Sequence, residues 1–137
     1  MKWKFGEYTF DTDKSIIPID RVKEFLSKSY WAADRTVEQI EKSVEGSFCY
    51  GVYHGKELVG FARVVSDYAT MFYVCDVYIH ESHRKNGLGK KLIKCILETE
   101  EFKNIKGILA TNDAHGLYER FGFKRVNSRY MARTPQI

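Results

Sequence analysis

The stretch "SHRKNGLGKK", Ser82–Lys91, separates an apolar run, "MFYVCDVYI" (Met71–Ile79), from a segment with apolar residues at helical spacing, "KKLIKCILE" (Lys90–Glu98). A strand, a glycine loop and a helix in that order leave backbone N–H groups unpaired at the helix N-terminus, which makes an anion site. Gly87 and Gly89 allow backbone to come close to a ligand, and Arg84, Lys85, Lys90 and Lys91 supply positive charge. Two common nucleotide patterns fail here. A Walker loop requires Lys-Ser/Thr after its last glycine, but Gly89 precedes Lys90 and Lys91. A dinucleotide fingerprint requires a third glycine where Leu92 stands.

Outward from the loop, the pattern predicts alternating elements. Leu88, Leu92, Cys95, Ile96 and Thr99 share one helical face. "KGILAT" (Lys106–Thr111) reads as a short strand, and its helical connection from Thr70–Ile79 predicts a parallel pair. "NDAHGLYERFG" reads as a short helix with Asn112 or Asp113 as N-cap and Gly122 beyond its end. "FKRVNSRYMA" (Phe123–Ala132) predicts a final strand pair around an Asn127–Ser128 turn.

Upstream, "SFCYGVYHGKELVGFARVVS" predicts a hairpin turning at His54–Gly55. Thr36 and Gln39 form a capping-box pattern ahead of "VEQIEKSVEG", and Ile19, Val22, Phe25 and Leu26 recur at helical spacing after Pro18. "WKFGEYTF" (Trp3–Phe10) reads as one first strand. The predicted class is α/β (α+β) with a mixed sheet. Its N-terminal strands are antiparallel, and its fourth and fifth strands, Thr70–Ile79 and Lys106–Thr111, are parallel.

The length of 137 residues fits a single domain over 1–137. Hydrophobic residues at 44% and charged residues at 29% exclude a disordered chain. The net charge of +4 is mild and concentrated at the loop, which fits a small anionic ligand better than a nucleic-acid stripe. Cys49, Cys75 and Cys95 are odd in number, lack CxxC spacing and lie in apolar segments, so they read as reduced core residues. The start lacks an apolar signal region and no run reaches membrane-spanning length, so the expected location is cytoplasmic, with no membrane partner.

The pattern Arg84-x-x-Gly87-x-Gly89 resembles the signature of the GNAT superfamily of N-acetyltransferases. Downstream, "AHGLYERFGF" (Ala114–Phe123) resembles that family's second signature, and the order of elements is similar throughout. The resemblance implies a GNAT-like acyl-coenzyme A N-acyltransferase fold, with acetyl-coenzyme A as cosubstrate and an amine as acceptor. It implies that the stretch Lys85, Asn86, Gly87, Leu88, Gly89 and Lys90 wraps a pyrophosphate, while Arg84 braces the loop or reaches a phosphate. It also implies that Val77, Tyr78 and Ile79 run beside the pantetheine arm, with an oxyanion-stabilising N–H near Val77. The family's asparagine position is Thr111 here, with Asn112 one later; either residue is a candidate for that contact.

Tyr118 occupies the position of the family's general acid, which protonates the leaving thiolate. Asp76 is the charged residue of the apolar strand, a costly placement unless paired or hydrated. It has two readings. It takes the amine proton or binds a cationic acceptor, or it is the structural partner of a base such as Arg63. The acceptor side points to Tyr30, Trp31, Tyr68, Tyr73, Arg63 and Arg129. His80 and His83 fit a solvated turn better than a metal site, so no metal is expected. The expected activity is acetyl transfer to a primary amine of a small molecule or peptide by direct attack in a ternary complex, by a monomer or homodimer. The alternative is a non-catalytic coenzyme A-binding sensor.

Overall fold

The computed structural model describes residues 1–127 and 129–135. The segment expected to be one strand is a hairpin: β1 (Lys2–Phe5) and β2 (Tyr8–Asp11) pair antiparallel. Gly6 turns the chain at φ +60°, a left-handed conformation open to glycine at no steric cost. A short 3₁₀ turn (Lys14–Ile16) leads to α1 (Ile19–Ser27), for which Pro18 is the N-cap. Next comes α2 (Val37–Glu45), which begins with both bonds of the Thr36–Gln39 capping box in place.

β3 (Phe48–His54) and β4 (Glu57–Ser66) form the expected hairpin, but Gly55 and Lys56 make its turn, because His54 already pairs with Glu57. β5 (Met71–Ile79) is antiparallel to β4. α3 (Leu88–Glu98) then crosses to β6 (Lys106–Leu109), which is parallel to β5. α4 (His115–Glu119) is the last regular element among the described residues. The sheet order is β1-β2-β3-β4-β5-β6, and among the described residues β5 and β6 are its one parallel pair. That pair is the fifth and sixth strands because the N-terminal segment supplies two strands.

Two apolar clusters cover the two faces. Val22, Phe25 and Leu26 of α1 and Ile40 and Val44 of α2 pack with Phe61 and Tyr78 on one face. Leu88, Leu92, Ile93, Cys95 and Ile96 of α3 pack with Tyr50, Phe72 and Val74 on the other, joined by Tyr118 of α4. Burying each such large side chain stabilises the fold by about 1.5–3 kcal/mol.

Two expectations fail downstream. The N-cap of α4 is Ala114, because the Thr111 hydroxyl accepts the Ala114 N–H (3.0 Å) and holds the chain in a turn before the helix begins. After β6, no strand forms among the described residues. Val126, Tyr130 and Met131, apolar residues of the expected strand pair, stand 59–94% exposed. Ser128, half of the expected turn, lies outside the described residues.

Candidate active site

β5 does not alternate regularly. Arg63 pairs with Cys75, but Phe61 pairs with Tyr78, so β5 carries an extra residue opposite β4. Asp76 sits at this bulge with φ +54°, an uncommon conformation for a residue other than glycine. The bulge changes which faces the side chains reach. Phe72 and Val74 pack on the α3 side, Val77 and Ile79 reach that same side beyond the bulge, and Tyr78 packs against α1.

β5 and β6 pair only as far as Val74 and Leu109. From Cys75 to Ile79, the β6 side of β5 has no strand partner among the described residues. The chain after β6 turns away through Thr111, leaving a cleft of about 940 Å³ between the strands. An apolar run such as Met71–Ile79 suits a strand covered on both faces, but here the cover is incomplete: Tyr73, Cys75, Val77 and Ile79 are all half-buried and line the cleft.

At one end of the cleft lies the glycine loop. Lys85 (φ +69°) and Gly87 (φ +75°) are both left-handed, which turns successive N–H groups inward. The first intrahelical bond of α3 joins Lys91 N–H to Gly87 O, and Gly87 provides no side-chain cap. The N–H groups of Leu88, Gly89 and Lys90 are thus unpaired within the helix, and the helix dipole adds positive potential there. Arg84 Nε donates to Ile79 O (2.9 Å), and its guanidinium lies 5.2 Å from the centre of the Tyr78 ring. This fastens the loop to the end of β5.

Arg84, Lys85, Gly87, Leu88, Gly89 and Lys90 line the cleft with Val77, Tyr78, Ile79, Thr111 and Asn112. Asn86 does not. Its Nδ2 donates back to His83 O (3.0 Å), close to the Tyr8 hydroxyl, which is hydrogen-bonded to His83 Nδ1 (2.9 Å). The brace from Tyr8 crosses 75 residues of chain, and no local pattern announces it.

Tyr118 lines the middle of the cleft, 9% exposed, its ring edge-on to Phe123 at 5.9 Å. Burial pushes its phenol up to about 12, so it is protonated at neutral pH. Opposite, the Tyr30 hydroxyl accepts the N–H of Asn112 (2.9 Å) and so ties the α1–α2 connection to the turn after β6. The Tyr30 and Trp31 rings meet edge to face at 5.0 Å.

Asp76 faces this aromatic pair. Its Oδ1 accepts Trp31 Nε1 (3.0 Å), and its Oδ2 accepts Arg35 Nη1 (2.5 Å) and Arg63 Nε (2.8 Å). Burial pushes the carboxyl up, but the charges and hydrogen bonds of Arg63 and Arg35 outweigh it, so the group sits below the usual carboxylate range. A carboxylate so occupied has little capacity to take a proton. Of the two readings of Asp76, this geometry favours the structural partner. Arg63 was the expected partner; Arg35 was not, because its 41-residue separation from Asp76 leaves no local signal.

Tyr73 and Arg63 line the cleft, as does Tyr130 rather than the expected Arg129. Tyr68 stacks on Phe102 (5.9 Å) away from the cleft, because an Asx turn at Asp67 directs the β4–β5 connection outward. Among the described residues, no three His, Cys, Asp or Glu side chains are placed to hold a metal, and no helix is long and apolar enough to cross a membrane.

Residues 45–125 match the family described as acetyltransferase (GNAT) domain. A GNAT-family protein from Xanthomonas campestris pv. campestris has a crystal structure that superposes with a TM-score of 0.90, at 32% identity over 96% of each chain. The uncharacterized N-acetyltransferase ycf52 of Gracilaria tenuistipitata var. liui is 30% identical over 77% of this chain, which spans 52% of that relative. A GNAT family acetyltransferase from Elizabethkingia anophelis, solved with acetyl-CoA bound, shares the fold at a TM-score of 0.69 and 17% identity, over 90% of this chain and 80% of its own. With more than half of the chain matched by the family's pattern and its whole fold shared, the protein belongs to the GNAT acetyltransferases, a family that uses acyl-coenzyme A and acetylates acceptor substrates.

Proposed function

We propose that the protein transfers an acetyl group from acetyl-coenzyme A to a primary amine by direct attack in a ternary complex. The observation that carries this reading is the parting of β5 from β6 beyond Val74, with the anion cradle at one end of the gap and buried Tyr118 within it. The unpaired N–H groups at Leu88, Gly89 and Lys90 suit a pyrophosphate, with Lys85 and Lys90 adding charge. The unpaired side of β5 from Val77 to Ile79 suits an extended amide-bearing arm, which would add to the sheet as a strand does.

The amine nitrogen attacks the thioester carbonyl carbon and a C–N bond forms. The carbonyl oxygen becomes an oxyanion, for which the backbone N–H near Val77 is the proposed donor. Collapse breaks the C–S bond, and the thiolate takes the phenolic proton of Tyr118. In water a phenol near about 10 is a poor donor to a thiolate near about 8.5, but desolvation in a closed cleft raises the thiolate's affinity for the proton. Tyr118 regains its proton as the amide product loses its own to water.

One observation favours the alternative of a coenzyme A-binding sensor: the carboxylate of Asp76 is already occupied. The test is acetyl transfer to a pool of amines followed by mass spectrometry, with Tyr118→Phe in parallel. The expected result is a product gaining one acetyl group and a loss in kcat of about 10²-fold or more in the variant, with acetyl-coenzyme A affinity retained. Binding without turnover across a broad pool supports the sensor. Turnover unaffected in Tyr118→Phe removes the tyrosine from the mechanism.

A further inference from the structure

The acceptor side of the cleft is cationic. One carboxylate, Asp76, with its side chain 1% exposed, is shared between the guanidiniums of Arg35 and Arg63, which leaves one positive charge in excess. Arg63 also gives Nη1 to Ser47 Oγ (3.0 Å), while Arg35 gives only Nη1 to Asp76. Both arginines line the cleft, and among the described residues their side chains donate to Asp76 and Ser47 alone, which leaves further N–H groups open. Lys28, exposed at the end of α1, adds a further charge to the same wall. A planar guanidinium with open donors is matched by a carboxylate, whereas a purely cationic acceptor would be repelled. The Trp31 and Tyr73 rings beside the pair offer flat apolar surface.

Beside Arg35 and Arg63 there is no free base among the described residues: no histidine lines the cleft and Asp76 is occupied. Asp113 also lines the cleft, on the turn after β6, 3.5 Å from the Thr111 hydroxyl. The acceptor's proton leaves to water or to that carboxylate. An alkylammonium with a pKa of about 10.4 is neutral in roughly one molecule in 2,500 at pH 7, whereas an α-ammonium near about 8, the value of a chain terminus, is neutral in about one in ten. A free amino acid reaches that lower range only when its carboxylate charge is neutralised. The two guanidiniums supply that neutralisation, so one contact would both bind the acceptor and ready its nitrogen.

We propose that the acceptor is an α-amino acid, its carboxylate held by Arg35 and Arg63 and its side chain laid against Trp31 and Tyr73. This rests on the cleft being an acetyltransferase site. The test measures release of free coenzyme A, with mass spectrometry of products. Each of the twenty amino acids is compared with its α-amide and its decarboxylated amine, and acetyl-coenzyme A binding is measured separately by calorimetry.

At least one amino acid should exceed both of its uncharged-tail counterparts in kcat/KM by about 10–100-fold, the range for a hydrogen-bonded charge contact. Arg35→Gln should shrink that preference about tenfold through KM. Should the variant not fold, the substrate comparison on the natural chain decides alone. Amides or decarboxylated amines used as well as the amino acids would overturn the proposal. So would binding of acetyl-coenzyme A with no transfer to any of these compounds, an outcome that leaves the acetyltransferase reading standing. Failure to bind acetyl-coenzyme A would remove both.

Discussion

Asp76→Asn removes the charge from the one carboxylate that ties β5 to β4 and to the α1–α2 connection. The amide keeps an acceptor for Trp31 or for one arginine, but Arg35 and Arg63, with side chains 28% and 13% exposed, lose their counter-charge. Removing one partner of a buried ion pair costs about 3–5 kcal/mol. The partial exposure of Arg35 and water in the cleft reduce this to about 2–3 kcal/mol. An unfolding entropy of about 2.1 cal/mol/K per residue gives about 0.29 kcal/mol/K for 137 residues, so Tm should fall by about 7–10 °C at pH 7.

The pH dependence follows from the direction of the shift. Arg63 and Arg35 hold the Asp76 carboxyl below its usual range against the opposing effect of burial. Its contribution is then complete above the unfolded value of about 3.9 and is lost as pH falls through the lower folded value. The Tm gap between natural chain and variant should narrow below about pH 4. Thermal denaturation by circular dichroism from pH 7 to pH 2 checks both points. A variant within 1–2 °C of the natural chain at pH 7 would refute the structural account; about 0.3–0.6 kcal/mol is the most that such a shift represents. A pH–rate profile that loses its rising limb in a variant of normal stability would restore Asp76 as the base.

Gly87→Ala forces a side chain onto a residue at φ +75° and brings Cβ within 3.6 Å of the Phe5 ring. It should cost about 1–2 kcal/mol of stability and weaken acetyl-coenzyme A binding, which calorimetry on the folded variant measures. Native affinity there would argue against the loop as the anion cradle. At high pH, burial holds the Cys75 and Cys95 thiols at about 11 and the Cys49 thiol and the Tyr53 and Tyr118 phenols at about 12. Groups raised in the folded state stabilise it fully below their unfolded values, so stability should fall as pH climbs above about 9. A Tm unchanged from pH 8 to pH 11 would contradict this.

The parts of the fold legible in the sequence are those whose causes are local. Thr36 and Gln39 stand three residues apart and make the α2 capping box, and the apolar face of α3 repeats along one helix. The hairpin at Gly6 is not legible in the sequence, because a single glycine within an apolar, β-rich run reads as a weak point in a strand as readily as a turn. Asp76 shows a deeper limit. Its residue type marked it as needing a partner, but Trp31 and Arg35 lie 45 and 41 residues away, and only tertiary structure brings them near.

The apolar character of Met71–Ile79 pointed to a strand covered on both faces, whereas the bulge at Asp76 leaves alternate side chains half-buried beside a gap. The bulge links these observations. By adding a residue to β5 it shifts Val77 and Ile79 to the α3 side, and the part of β5 beyond it runs without a partner from β6. A strand that is apolar enough for the core yet unpaired along one side is poorly satisfied by the protein itself. Its unpaired amides and half-covered side chains are where a bound molecule gains most, and a positive φ at Asp76 is a cost met by its three hydrogen bonds to the cleft wall.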